Sequence, residues 1–133
     1  MMFSIQAHIG REHYRTEIRT ASQLLIADEP PTNGGEGLGS NPHELLIAAL
    51  GACTNATVRM YADRKGWPLE AVDTHVSIEH GDSFDTTHIK RTVHFTGALT
   101  AEQRDRLLQI ANRCPIHRTL TGAIDVATEM LPA

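Results

Sequence analysis

The stretch NPHELLIAALGACTNATVRMYADRKGWP, residues 41–68, decides the fold because it predicts one long helix with a defined beginning. Asn41 can cap this helix, and Pro42 suits its first position. Glu44 falls at the third position, where its carboxylate can reach back to the backbone N–H of the cap. The opening of the helix is therefore predicted from local signals alone.

The end of the same helix is also predicted. Gly66 and Pro68 indicate that it stops at about Lys65. Its first half is apolar on every side, which favours a helix that is buried all round. The apolar run Leu45 to Leu50 is far shorter than the roughly 20 residues of a bilayer span, so we expect no membrane insertion.

Strands are predicted on both sides of the helix. Residues 14–20, YRTEIRT, alternate as a half-buried strand does, and residues 23–30 continue it or form its hairpin partner. The Gly- and Pro-rich segment 30–42 reads as a loop. Residues 72–80 and 88–99 form a second predicted hairpin. Its inward side chains are expected to be Val76, Ile78, Ile89, Val93 and Phe95.

A second helix and a last strand complete the prediction. Residues 100–114 have a capping box and an apolar stripe that includes Cys114, and Pro115 ends them. Residues 122–131 are predicted as a closing strand. This order of elements favours a single α+β domain over residues 1–133, with helices packed against an antiparallel sheet.

Composition excludes several classes of function. The chain has 12 basic and 16 acidic residues without basic runs, so we expect no nucleic-acid or membrane partner. No secretory signal is visible and there are two cysteines, which favours a cytoplasmic protein with free thiols. Cys114 and His117 in the CPIH segment have the spacing of two zinc ligands, but a closed zinc site needs four ligands and the sequence has no second such pair. We therefore expect neither a metal nor a cofactor.

The two cysteines are the candidate reactive groups, although a free cysteine is often just a small buried hydrophobe. Cys53 is bracketed by small and polar residues that leave room for a substrate. Lying in the middle of a helix, it gains little from the helix dipole, so a basic residue must come from elsewhere to activate it. Arg15 and Arg19 on the first predicted strand are the candidates, with Arg11 behind them.

His43 and Glu44 are too far from Cys53 to touch it within one chain. Nine or ten helical residues correspond to about 13 to 15 Å along the axis. Either side chain can therefore contribute only to a site shared with a second subunit. Otherwise Glu44 is a capping residue and nothing more.

With these features in view, the chain resembles the OsmC/Ohr family of thiol peroxidases. The resemblance rests on GSNPHELLIAALGACTNATVRMYADRKGWPLE, residues 39–70, and TAEQRDRLLQIANRCPIHRTLTG, residues 100–122. It implies an OsmC-like fold in which an antiparallel sheet wraps around long central helices. It also implies an intertwined homodimer whose active sites use both chains, which would answer the distance problem of His43 and Glu44.

The resemblance further implies a reaction. Cys53 would attack an organic hydroperoxide and become a sulfenic acid, which would condense with Cys114 to a disulfide. A thiol or lipoyl-type reductant would then restore both thiols. In the best characterised family members a glutamate directly follows NP, whereas His43 occupies that position here and Glu44 follows it. The family's arginine–glutamate pair therefore does not carry over as it stands.

Two other functions stay open at this stage. The dimer could sense redox state or bind a small hydrophobic ligand near Cys53 with little turnover. A Cys–His acyl-transfer enzyme would pair Cys53 with His43 or His117, but the sequence supplies no nucleophile elbow or third orienting group.

Overall fold

The computed structural model describes residues 1–132. It divides into two compact units, Met1–Ala48 and Ala49–Ala133. The helices and strands are β1 Gln6–His8, β2 Thr16–Arg19, β3 Leu24–Ala27, α1 Pro42–Lys65, β4 Leu69–His80, β5 Thr87–Gly97, α2 Ala101–Ala111 and α3 Pro115–Thr121. The first unit holds β1 to β3 and the start of α1, and the second holds the rest.

The first unit is built on a three-stranded antiparallel sheet in the order β1-β2-β3. The predicted strands at 14–20 and 23–30 are confirmed as the antiparallel pair β2 and β3, in which Thr16 lies opposite Ala27. Both are shorter than expected. Strand β1 was not predicted, because its three residues are too few to show an alternating pattern.

A buried carboxylate organises the loop that leaves β3. Asp28 is only 2% exposed. Its Oδ1 accepts hydrogen bonds from the backbone N–H groups of Tyr14 at 3.0 Å and Glu29 at 2.7 Å, and its Oδ2 accepts one from Leu38 at 3.0 Å. These bonds hold the pKa of Asp28 below its usual value, with the bond from Leu38 contributing most. The loop also packs closely, since a Cβ added at Gly39 would overlap the backbone oxygen of Ile26.

We predict that Asp28→Asn weakens the hydrogen bonds that hold this loop. The variant should also lose part of the pH dependence of the stability of the folded protein. Folding lowers the pKa of Asp28, so the ionised carboxylate stabilises the folded state. This stabilisation is present in full above the ordinary pKa of 3.8 and is lost as the pH falls through the lower pKa of the folded state. Hydrogen exchange at the amides of Tyr14, Glu29 and Leu38 should become faster in the variant. The exposed Asp82→Asn is the control, and equal protection of those amides in both variants would contradict the prediction.

Helix α1 begins and ends as the sequence predicts. The Asn41 side chain accepts from the Glu44 N–H at 2.8 Å, and the Glu44 carboxylate accepts from the Asn41 N–H at 2.9 Å. At the other end Gly66 has φ of +68°, and the N–H of Trp67 donates to the Ala62 carbonyl at 3.0 Å. The N–H of Gly66 donates to the Asp63 carbonyl at 3.1 Å, which completes a Schellman motif.

The expectation that α1 is buried all round is wrong for the single chain. Its buried residues recur every fourth position and form one stripe: Leu50, Thr54, Val58 and Ala62. Much of the rest is exposed, including Leu46 at 43% and Met60 at 57%. Within one chain only this stripe is fully buried. The apolar side chains on the other faces of the helix stay partly or largely exposed to solvent.

By length and composition alone, α1 also reaches the level expected of a membrane-spanning helix, with a mean hydropathy of 1.2 over its most apolar window. A single helix of this kind is weak evidence, because core helices of soluble proteins share the property. The uncharged segment 45–58 is bounded by Glu44 and Arg59. It is well short of the roughly 20 residues that cross a bilayer.

The second unit packs α1 and α2 with the β4–β5 hairpin. The two strands pair along their whole length from Leu69 with Gly97 to His80 with Thr87. All five predicted inward side chains are buried or half-buried, which confirms the hairpin and its inward face. The core cluster consists of Val58, Ala62, Leu69, Phe95, Leu107, Ile110 and Ala111.

The predicted helix at 100–114 is confirmed as α2, which ends three residues earlier than expected, and a further helix that was not predicted, α3, follows it. The predicted capping box is confirmed: the Thr100 side chain accepts from the Gln103 N–H at 3.1 Å, and the Gln103 side chain accepts from the Thr100 N–H at 2.9 Å. Helix α2 ends at Ala111, and α3 starts at Pro115. Pro115 stops α2, but a proline also suits the first position of a new helix.

The predicted strand at 122–131 is wrong. These residues have no regular secondary structure, and all of them are exposed. Their alternating pattern is compatible with a strand, but a strand also needs a neighbour to accept and donate its backbone hydrogen bonds. Within residues 1–132 no strand pairs with them. The α+β class with antiparallel sheets is nevertheless confirmed.

Candidate functional site

The structure brings Cys53 and Cys114 together. Cys53 lies in the middle of α1 and is half-buried, whereas Cys114 caps α3 and is completely buried. The two thiols are near enough that Cys53 influences the pKa of Cys114. Their meeting follows from the apolar stripe of α2, because Leu107, Ile110 and Ala111 enter the same core cluster as Val58 of α1. Cys114 continues that stripe and is thereby placed against α1.

Burial sets the chemistry of the Cys114 thiol. Removal from water raises its pKa most, and the neighbouring Cys53 thiol raises it further. The backbone N–H of His117 donates to the Cys114 sulfur at 3.4 Å, which lowers the pKa but does not outweigh burial. Cys114 is therefore held as a neutral thiol that is inaccessible to solvent.

Arg91, a residue of β5, connects the surroundings of both cysteines. Its Nη1 donates to the Thr54 hydroxyl at 3.0 Å. Its Nη2 donates to the Asn112 side-chain oxygen at 2.7 Å and to Nδ1 of His117 at 3.2 Å. Thr54 directly follows Cys53 on α1, and the other two acceptors lie on either side of Cys114. One guanidinium group thus joins α1, the end of α2 and α3.

His117 is neutral in this arrangement. Burial lowers its pKa most, and the positive charge of Arg91 lowers it further. A guanidinium has only donors, so Nδ1 of His117 must be the acceptor, and the ring proton belongs on Nε2. His117 therefore serves as a hydrogen-bond acceptor for Arg91, which is a different role from the base of an acyl-transfer pair.

The other predicted site residues lie in the first unit. Arg15, just before β2, pairs with Glu17 at 3.3 Å, and Arg19 at the end of β2 lies 4.0 Å from the same carboxylate. Glu44 forms the capping box of α1 described above. Helix α1 is unbroken, which is the premise of the predicted separation between Glu44 and Cys53. The catalytic roles of Arg15, Arg19 and Glu44 remain predictions.

Arg91 is a site residue that was not among the residues predicted from the sequence. A signal was present, because Arg91 has the same parity along β5 as Ile89, Val93 and Phe95, all of which face inward. A charged residue at an inward position of a strand needs buried hydrogen-bond partners. Its partners Thr54, Asn112 and His117 come from distant parts of the chain, so the sequence could mark Arg91 as unusual without identifying them.

The arrangement is suited to dithiol chemistry. Two thiols in contact can lose two electrons and two protons to form a disulfide, and a reductant can reverse the change. Among residues 1–132, no three His, Cys, Asp or Glu side chains lie close enough to hold a metal ion. The two sulfur atoms lie in this site with Arg91 and His117 around them.

A family model identifies the family of this chain, and solved structures share its fold. Residues 34–129 match the family model described as OsmC-like protein. The chain is similar in structure to an OsmC-like protein from Mycoplasma pneumoniae, with TM-score 0.80, 19% identity and coverage of 92% of this chain and 89% of that one. A Legionella pneumophila organic hydroperoxide resistance protein OsmC gives TM-score 0.71 and 24% identity, with coverage of 92% and 90%.

The organic hydroperoxide resistance protein OhrB of Bacillus subtilis is also similar, with TM-score 0.63, 20% identity and coverage of 94% of each chain. No curated protein matches the sequence. At these identities the structural likeness establishes the fold.

Proposed function

Because the chain belongs to the OsmC-like family, we propose that it is a thiol-dependent peroxidase that reduces organic hydroperoxides to alcohols. The observation that carries this proposal is the proximity of the Cys53 and Cys114 thiols, which is close enough for Cys53 to raise the pKa of Cys114. A peroxidase of this type needs a first sulfur that the substrate can reach and a second sulfur that is held against it. Half-buried Cys53 and fully buried Cys114 match these two requirements.

The reaction has three steps. The Cys53 thiolate attacks the O–O bond of the hydroperoxide, so that an alcohol leaves and the sulfur becomes a sulfenic acid. Cys114 then attacks the Cys53 sulfur, which forms the disulfide and releases water. A small dithiol or a lipoyl-type reductant restores both thiols by exchange. The expected location is the cytoplasm, where thiols are kept reduced.

A homodimer is part of the proposal. The exposed side of α1 carries an apolar stripe that a second copy of the chain would cover: Leu46, Ala49, Ala52, Ala56 and Met60. In such a dimer Arg15 or Arg19 would supply the cation near Cys53, and Glu44 or His43 would come from the other subunit. The names of the Legionella and Bacillus proteins support the hydroperoxide as the substrate class.

The test is the mass of the intact, reduced protein after one equivalent of cumene hydroperoxide. We expect each chain to lose two hydrogen atoms and one equivalent of cumyl alcohol to form, since one disulfide consumes one hydroperoxide. Neither Cys53→Ser nor Cys114→Ser should lose this mass. If the wild-type protein leaves the hydroperoxide intact, yet forms the same disulfide with a general thiol oxidant, the sensing function replaces the peroxidase.

A further inference from the structure

Arg91 occupies a position where a strand of this hairpin otherwise places apolar side chains. It lies opposite Val76 in the β4–β5 ladder and shares its face with Ile89 and Val93. Burying part of a guanidinium group costs free energy unless its N–H groups are bonded. Arg91 offsets this cost with three hydrogen bonds between 2.7 and 3.2 Å, and all three acceptors are uncharged.

The three acceptors have a common relation to the two sulfur atoms. Thr54 directly follows Cys53, and its own hydroxyl donates to the Leu50 carbonyl at 2.7 Å, so it is fixed to the backbone of α1. Asn112 precedes Cys114 by two residues, and His117 follows it by three. Arg91 therefore holds the chain on both sides of Cys114 and attaches it to the turn of α1 that carries Cys53.

We infer that Arg91 is the positioning residue for disulfide formation, because its guanidinium group keeps the segment of Cys114 against α1 while Cys53 reacts. This inference rests on the proposed function for the identity of the oxidant, and on the described contacts for the role of Arg91. Arg91 acts on the second step only. It holds Cys114 in place and takes no part in cleaving the peroxide.

The second step is the one that needs such help. The sulfur of Cys114 attacks the sulfur of the Cys53 sulfenic acid; the S–S bond forms, the S–O bond breaks, and the departing hydroxide leaves as water with the proton of the Cys114 thiol. Burial raises the pKa of Cys114 and makes its thiolate scarce. Holding the two sulfur atoms together compensates for the scarcity of the thiolate. Two groups fixed next to each other react as if each were present at a very high concentration.

The test measures the two steps separately in Arg91→Met. Consumption of the first equivalent of cumene hydroperoxide should proceed at the wild-type rate. Formation of the disulfide, followed by intact mass, should slow about 100-fold, as expected when a reacting group is displaced by about 1 Å. Dimedone should then trap the Cys53 sulfenic acid, which the wild-type protein converts too quickly to be trapped.

The matched control is Arg104→Met. Arg104 also donates two hydrogen bonds, to the carbonyls of Phe95 at 2.7 Å and Gly97 at 2.9 Å, but neither acceptor is next to a cysteine. Disulfide formation in this variant should keep the wild-type rate. If both variants slow it equally, the effect is a general loss of stability and the inference is overturned.

A milder variant covers the case in which Arg91→Met does not fold. Asn112→Ala removes one of the three acceptors at an exposed position, and it should slow disulfide formation several-fold while dimedone trapping increases. In that case, an unchanged rate of disulfide formation in Asn112→Ala would overturn the inference.

A second oxidant, diamide, allows the role of Arg91 to be tested independently of the proposed peroxidase activity. Diamide accepts the Cys53 thiolate at its N=N bond, and Cys114 then displaces the hydrazine to form the same disulfide. If the wild-type protein fails to reduce the hydroperoxide but Arg91→Met still slows the diamide reaction, the peroxidase proposal fails and the role of Arg91 stands. If Arg91→Met matches the wild-type protein with both oxidants, the role of Arg91 fails by itself.

Discussion

Replacing Cys53 with serine is expected to lower kcat/KM for organic hydroperoxides by about 1000-fold or more, since a serine hydroxyl is a far weaker nucleophile than a thiolate. Steady-state turnover with a small dithiol and cumene hydroperoxide measures the effect. In the proposed reaction Cys53 is the sulfur that meets the substrate, because it is half-buried whereas Cys114 is fully enclosed. Loss of the first equivalent of hydroperoxide consumption should therefore be specific to Cys53→Ser.

Cys114→Ser is the matched variant for this experiment. It removes a sulfur of the same site but leaves the first step possible, so we expect one equivalent of hydroperoxide to be consumed before turnover stops or slows. The Cys53 sulfenic acid should then be open to trapping by dimedone. Full turnover by Cys53→Ser, or the absence of a first equivalent in Cys114→Ser, would contradict the assignment of the two sulfurs.

Leu107→Ala is expected to destabilise the second unit by about 3 kcal/mol, because it removes a large side chain from the centre of a closed core. Leu107 is 0% exposed and belongs to the core cluster around α1 and α2. Trp67 packs against the same cluster and is the single tryptophan of the chain. Its fluorescence during urea unfolding therefore reports directly on this unit.

The neighbouring Leu108 provides the control, because the same substitution there removes a side chain that is 54% exposed. We expect Leu108→Ala to change the free energy of unfolding by no more than about 0.5 kcal/mol. Equal losses in the two variants would show that α2 does not pack in the observed orientation.

The long helix could be predicted almost completely from the sequence because its ends depend on neighbouring residues. The Asn41–Glu44 capping box and the Gly66 terminus are local structures, and their residues lie within a few positions of each other. The buried stripe of α2 was also predicted correctly, including the burial of Cys114. Periodicity and capping are the two signals that a single sequence carries reliably.

What the sequence could not supply depends on distant partners. The alternating pattern at 122–131 was read as a strand, but a strand exists only where another one pairs with it. Helix α3 could not be predicted because Pro115 can either end a helix or begin one. The contact between Cys53 and Cys114 was expected only from family resemblance, and the partners of Arg91 are set by the packing of four separate elements.

Because Cys114 is completely buried, its rate of alkylation reports local opening of the folded protein, which the rate for Cys53 does not. A thiol reagent can reach Cys53 in the folded protein, but it can modify Cys114 only when the segment around α3 opens to solvent. In a Cys53→Ser background, the rate of labelling at Cys114 thus equals the intrinsic reaction rate multiplied by the fraction of molecules that are open. Thiol labelling would then measure the local opening free energy at the second sulfur, in a protein that contains no other cysteine to obscure it.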